Sequence, residues 1–205
     1  KFKDECIVVP REERIPPTDN VLYFISTTHN YHIHDDMHKD VRTNLSVLLE
    51  VLENCKERDV TFNFISSWFV YGDTNLPARE DSICNPAGFY SITKRCAEQL
   101  IVSFCKTFDK SYRILRLSNV YGSSDPGAGK KKNALQFLIE NMKDDLDVDL
   151  YHGGEFIRDY LHVNDVCDAI KLVMNESSAN DVINVGSGTP YRFIDLINLA
   201  RKILN

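Results

Sequence analysis

Along this chain short apolar runs alternate with longer stretches in which apolar residues recur every three or four positions. That alternation predicts a doubly wound α/β fold, a parallel sheet flanked by helices. Strands are expected at residues 6–9, 21–26, 61–66, 112–118 and 181–185, with a short one at 148–152. Helices are expected at 36–57, 88–108, 132–143, 164–175 and 192–204. In the first of these, Val41, Leu45, Leu48, Leu49 and Leu52 form an apolar stripe that is core by default. In the second, Ala97, Leu100, Ile101, Phe104 and Cys105 repeat at helical steps, after a start signal at Asn85-Pro86. The stretch 123–160 breaks the rhythm and is expected to belong to a separate lobe.

Composition narrows the function classes. With 205 residues, 43% hydrophobic and 26% charged, the chain can bury one good core. A net charge of −6 disfavours nucleic acid, and the basic run Lys130-Lys131-Lys132 reads as a solvated loop entering a helix. No apolar stretch reaches the 18 or so residues of a membrane span, so no membrane partner is expected. Cys6, Cys55, Cys84, Cys96, Cys105 and Cys167 lack metal-ligand spacing. Free thiols in a reducing cytoplasm, and no metal, are the expectation.

Candidate chemistry concentrates between residues 64 and 94, where Ser66-Ser67 closes a strand and Tyr90-Ser91-Ile92-Thr93-Lys94 opens a helix. Residues four apart on a helix share a face, so Tyr90 and Lys94 fall on one stripe. An ammonium beside a phenol favours the phenolate, drawing its pKa from about 10 towards neutrality, where it serves as a general base. Taken alone, the same spacing is equally an ordinary surface pair at a helix start.

Further strings appear in a fixed order around this one. They are Val21-Leu22-Tyr23-Phe24-Ile25-Ser26, Asn44 within the helix at 36–57, and Phe64-Ile65-Ser66-Ser67-Trp68-Phe69-Val70-Tyr71-Gly72. Downstream come Arg116-Leu117-Ser118-Asn119-Val120-Tyr121-Gly122, Arg158-Asp159-Tyr160-Leu161-His162-Val163-Asn164-Asp165-Val166 and Asn184-Val185-Gly186-Ser187-Gly188. In these strings the chain resembles the extended short-chain dehydrogenase/reductase family, in its NAD-dependent nucleotide-sugar epimerase and dehydratase branch. The resemblance runs from about residue 5 to 204.

The resemblance implies a Rossmann-like core over 1–122 and 161–189, with 123–160 and 190–205 in a substrate-binding lobe. It implies Tyr90 as catalytic base, Lys94 as the group that activates it and holds the nicotinamide ribose, and Ser67 as the hydroxyl that aligns the substrate. Ser66 is the rival for that last role, and either serine could instead cap the strand end. Phe24, Ser26, Asn44 and Ser66 would border NAD, with NADP possible. Trp68, Asn119 and Arg158 would face a nucleotide-diphosphate sugar, the guanidinium fork matching phosphate oxygens. For Arg158 the alternative is a pair with Asp159; for Asn119 it is a turn cap. Asp159 and Asp165 read as structural, because carboxylates repel a diphosphate. In the family this arrangement implies a homodimer through the helices at 36–57 and 88–108.

The family's 4,6-dehydratases carry an Asp-Glu pair after the catalytic hydroxyl, and here Trp68-Phe69 stands in that place. Neither ring carries a proton, which disfavours elimination of water and leaves epimerisation through a transient keto-sugar, or reduction of a keto-sugar. A catalytically silent NAD-binding or scaffold protein is the alternative of another class. It draws on an absence: no G-x-x-G-x-x-G or G-x-G-x-x-G occurs, although a dinucleotide's pyrophosphate needs such a turn. Gly127-Ala128-Gly129-Lys130 and Gly186-Ser187-Gly188 lack the spacing and read as loops. Residues 1–5 resemble the tail of a helix, as expected of a sequence whose first strand and glycine turn lie outside it. At the end of the strand expected at 6–9, Arg11 argues for NADP and Glu12 and Glu13 for NAD.

Overall fold

A computed structural model describes residues 2, 5–122, 133–176 and 178–204. Both the Lys130 to Lys132 run and the loop from Gly127 to Lys130 lie outside the described residues. In chain order the elements are β1 (Asn20–Tyr23), a 3-10 helix (Asn30–His34), α1 (Lys39–Val41), a π-helical stretch (Arg42–Ser46) and α2 (Val47–Cys55). Next come β2 (Thr61–Ser67), a 3-10 helix (Trp68–Val70), α3 (Phe89–Thr107), β3 (Ser111–Leu117), β4 (Asn119–Tyr121) and α4 (Ala134–Lys143). A 3-10 helix (Tyr151–Gly154), β5 (Ile157–His162), α5 (Val163–Glu176), β6 (Asp181–Val185), β7 (Pro190–Arg192) and α6 (Phe193–Leu204) complete the chain. These divide into two compact units, Lys1–Leu117 with Ala169–Asn184, and Ser118–Asp168 with Val185–Asn205.

The first unit is built on a sheet of order β1-β2-β3-β6. β2 runs parallel to both β1 and β3, with Tyr23 opposite Phe64 and Ser67 opposite Leu117. A central parallel strand covered on both faces is apolar almost throughout, and six of the seven residues of β2 are buried. Phe62, Phe64 and Ile114 from the sheet pack with Leu48, Ile101 and Cys105 from the helices. Complete burial of such large side chains contributes about 1.5–3 kcal/mol each. Asn63 is the polar exception in the middle of β2, and its amide donates to Asn20 Oδ1 at 2.7 Å and Val21 O at 3.1 Å.

Three expectations are corrected. Residues 6–9 form no strand, and Ile7 and Val8 are exposed, because among the described residues no strand offers its backbone groups to this segment. Arg11, Glu12 and Glu13 therefore do not stand at a strand end. The strand expected at 148–152 is replaced by the 3-10 helix Tyr151–Gly154, whose His152 has φ 46, a left-handed conformation incompatible with a β ladder. Finally, only part of the apolar stripe faces inward along the helical run Lys39–Cys55: Leu48 and Leu52 are buried and Leu45 packs against the core, Asp40, Asn44, Val51 and Cys55 complete the buried face, and Val41 and Leu49 are exposed.

The second unit has its own small core. Leu135 and Leu138 of α4 pack with Phe193 and Ile197 of α6, and Phe156 stacks on Phe193 with ring centroids 4.9 Å apart. Its sheet has the order β4-β5-β7, with β4 parallel and β7 antiparallel to β5. The Asp159 carboxylate accepts from the amides of Ser187 at 2.9 Å and Gly188 at 2.8 Å, which ties the loop after β6 to β5. An added Cβ at Gly186 would sit 2.9 Å from Asp159 Oδ2, so glycine allows that approach.

Candidate active site

β2 delivers Ser66 and Ser67, both buried, to the carboxyl end of the parallel strands, the edge where α/β sheets bind ligands. Ser67 is extended and its hydroxyl accepts from the Phe69 amide at 3.3 Å, starting the 3-10 helix Trp68–Val70. The two serines part company in their partners. Ser66 Oγ donates to Glu98 Oε1 at 2.6 Å, whereas Ser67 is the serine whose side chain acts on the Tyr90 phenol, lowering its pKa. Of the two, Ser67 is the one that faces the tyrosine. The Phe69 ring meets Tyr90 edge-on at 5.8 Å, and Trp68 stacks on Phe69 at 4.4 Å, so an aromatic wall adjoins the phenol.

Tyr90 lies in the first turn of α3, but Asn85-Pro86 does not start that helix. Its N-cap is Gly88, at φ 89, which supplies no side-chain bond. Asn30 caps instead: its Oδ1 accepts from the Ser91 amide at 3.2 Å and its Nδ2 donates to Ser91 Oγ at 3.0 Å. A Cβ on residue 88 would fall 2.5 Å from Asn30 Oδ1, so a glycine there lets this borrowed cap close in.

The electrostatics differ from the expectation drawn from the Tyr-Lys spacing. Burial raises the pKa of Tyr90, the Ser67 side chain opposes that rise, and the negative charge of Asp40 adds to it. Lys94 is not what draws the phenol down. Its Nζ donates to Ile65 O at 2.5 Å and rests 4.1 Å from the centre of the Phe64 ring. Burial pushes this lysine down to about 7, against the pull of Glu98.

Below the site runs a network that the sequence did not announce. Glu98, on the inner face of α3, receives Arg116 Nε at 3.0 Å, Arg116 Nη2 at 2.8 Å and Arg95 Nη1 at 2.7 Å, besides Ser66. Arg116 also lies over the Tyr71 ring at 4.8 Å, and the Tyr71 hydroxyl donates to Asn184 Oδ1 at 2.6 Å. Burial raises the Tyr71 pKa, keeping it a donor.

On the other flank, Asn44 is buried with its Oδ1 accepting from Thr27 N at 2.7 Å and its Nδ2 donating to Thr27 Oγ1 and to Thr93 Oγ1 at 2.8 Å. Ser26 Oγ donates to Thr27 O at 2.8 Å, and Phe24 stands exposed just beyond β1. Neither Thr27, Thr93, Asp40 nor Glu98 was singled out from sequence. Asp40, Thr93 and Glu98 sit within helices, where periodicity marks only an inner face, and Thr27 lies in the irregular segment after β1. The residues present fit the nicotinamide end of a dinucleotide: Tyr90 and Lys94 share a helix face, and Phe24 offers a flat apolar surface at the strand end.

Asn119 and Arg158 belong to the second unit. Asn119 Nδ2 donates to Asp159 O at 2.9 Å across the β4–β5 pair. Arg158 Nη1 donates to Ile157 O at 2.7 Å, and its guanidinium lies 5.0 Å from the Phe156 ring centre, with burial lowering its pKa. Among the described residues no three His, Cys, Asp or Glu side chains gather to hold a metal ion, and no helix is long and apolar enough to cross a membrane.

Residues 17–186 match the NAD dependent epimerase/dehydratase family. A dTDP-D-glucose 4,6-dehydratase of Dictyostelium discoideum is 27% identical over 201 residues, covering 91% of this chain and 44% of that protein. Among solved structures, the UDP-glucose 4-epimerase of Thermotoga maritima with UDP-glucose superposes with a TM-score of 0.83 at 26% identity, over 92% of this chain and 62% of that one. The UDP-glucuronic acid 4-epimerase of Bacillus cereus, in complex with UDP-glucuronic acid and NAD, gives 0.82 at 26% identity, over 90% and 59%. The chain thus spans less than two thirds of each of these relatives.

Proposed function

The chain belongs to the NAD dependent epimerase/dehydratase family, and from that premise we propose that it carries the catalytic tyrosine site of a nucleotide-sugar epimerase using NAD, with NADP as the alternative dinucleotide. The observation that carries this reading is the placing of Ser67, at the carboxyl end of β2, beside the Tyr90 phenol, where its side chain favours the phenolate against burial. A substrate hydroxyl placed between these two is aligned by Ser67 and gives its proton to Tyr90 Oη, which accepts it as the phenolate. Nicotinamide, when bound, supplies the carrier for the accompanying hydride. Lys94 and Tyr90 would hold its ribose, with Phe24, Ser26, Asn44 and Ser66 along its border. After the keto-sugar turns over, Tyr90 returns the proton to the new alcohol.

The Trp68-Phe69 wall supports epimerisation over elimination of water, since it places apolar rings, without a proton to give, beside the phenol. Arg158 and Asn119 are assigned to the substrate's diphosphate, with 123–160 and 190–205 as the lobe that binds it and 1–122 with 161–189 as the cofactor core. The exposed Val41, Leu49 and Ile92 support pairing of two copies through the helices at 36–57 and 88–108. Six free cysteines suit a reducing cytoplasm.

Tyr90→Phe in the full-length enzyme tests the mechanism, because only the proton carrier is removed. Turnover is expected to fall by about 100-fold or more, with nucleotide-sugar binding within a few-fold of wild type. Normal turnover by Tyr90→Phe would sink the assignment. A keto-sugar reductase is told apart by stoichiometric consumption of NADPH.

A further inference from the structure

Asp40 is the one charged side chain on the inner face of the helical run Lys39–Cys55 that the proposed mechanism leaves idle. It is fully buried, Thr27 Oγ1 donates to its Oδ1, and its Oδ2 is enclosed with no hydrogen-bond partner among the described residues. Such an oxygen is costly to enclose. From Thr27 the bonds continue: Asn44 Nδ2 donates to Thr27 Oγ1 at 2.9 Å and to Thr93 Oγ1 at 2.8 Å. Thr93 Oγ1 in turn donates to the backbone carbonyls of Phe89 at 2.7 Å and Tyr90 at 3.1 Å. A buried carboxylate is thereby wired to the turn that carries the phenol.

We propose that Asp40 is a positioning residue of the tyrosine site: through Thr27, Asn44 and Thr93 it holds the first turn of α3, and its charge opposes a second negative charge on Tyr90. This deepens the reading of Tyr90 as general base and rests on it. Among the described residues, the elements packed against α3 offer no rival charge acting on the phenol. Lys39 is exposed, His32 and His34 sit on the 3-10 helix outside, Arg42 is exposed and paired with Asp36, and Arg116 is bound to Glu98. Within α3, Lys94 turns its ammonium to Ile65 O. Asp40 is the charge that raises the Tyr90 pKa, beyond the larger effect of burial.

The test is Asp40→Asn in the full-length protein, which keeps an acceptor for Thr27 and removes only the charge. With tyrosine labelled at 13Cζ and the Tyr90 signal assigned by its loss in Tyr90→Phe, the titration midpoint of Tyr90 is expected to move down. The acid limb of kcat/KM should move down with it. An unchanged midpoint overturns the proposal. Should Asp40→Asn fail to fold, Thr27→Val, which cuts the link between Asp40 and Asn44, gives the answer: kcat must fall with KM little changed, and an unchanged kcat overturns the idea. Because the NMR readout needs no turnover, it fails separately from the general-base reading, which falls only if Tyr90→Phe remains active.

Discussion

Asn30 caps a helix to which it does not belong, its side-chain oxygen accepting from the Ser91 amide at 3.2 Å. The loop after β1 is thereby fastened to the turn that presents Tyr90. Asn30→Ala should cost about 1 kcal/mol, the usual worth of an N-cap, and lower Tm by about 2–4 °C. Because the freed turn carries the phenol, kcat should drop more than KM rises, and Asn30→Asp should restore most of both. Calorimetry beside steady-state kinetics checks this; an effect on Tm with kcat untouched would separate the cap from the site.

Glu98 and Arg116 form a forked ion pair with side chains 1% and 2% exposed. Removing one partner strands the other charge, so Glu98→Gln should destabilise by about 3–5 kcal/mol in urea unfolding. The double replacement Glu98→Leu with Arg116→Met should recover most of that loss, because no lone charge remains buried. If the double variant is as unstable as the single one, the network is worth more than its charges.

Lys94 is pushed down to about 7 from an ordinary 10.5. Between those values the unfolded chain binds a proton that the folded chain does not, so stability rises with pH through this window, by up to about 1.4 kcal/mol per unit. The contribution is complete above the unfolded value and is lost as pH falls through 7. Lys94→Met should lack that slope. Unfolding free energies of both proteins at pH 7, 8 and 9 should therefore diverge in favour of wild type as pH rises; parallel values would show that Lys94 finds water or a counter-charge.

How much of this was legible in the sequence depends on what burial does to pattern. The order Ser67, Tyr90, Lys94 could be read because the strings around it are contiguous, and in the structure Ser67 is among the groups that act on the Tyr90 phenol. Long helices such as α3 and α6 were readable from their period. The apolar stripe through Val41 and Leu49 misled, since the inner face holds Asp40 and Asn44, polar residues that only their bonds to Thr27 make tolerable there. β4 and β7 have three residues each, too short for alternation to show. The strand expected at 6–9 failed because apolar character specifies a wish for cover and not the neighbour that would provide it.

Asp159 already occupies the amides of Ser187 and Gly188, the stretch of backbone here most like an anion cradle. An incoming phosphate would have to evict a tethered competitor, one present at an effective concentration no dissolved ion matches. A wandering anion is therefore turned away from that loop, and Asp159→Ala is the change that would open it to one.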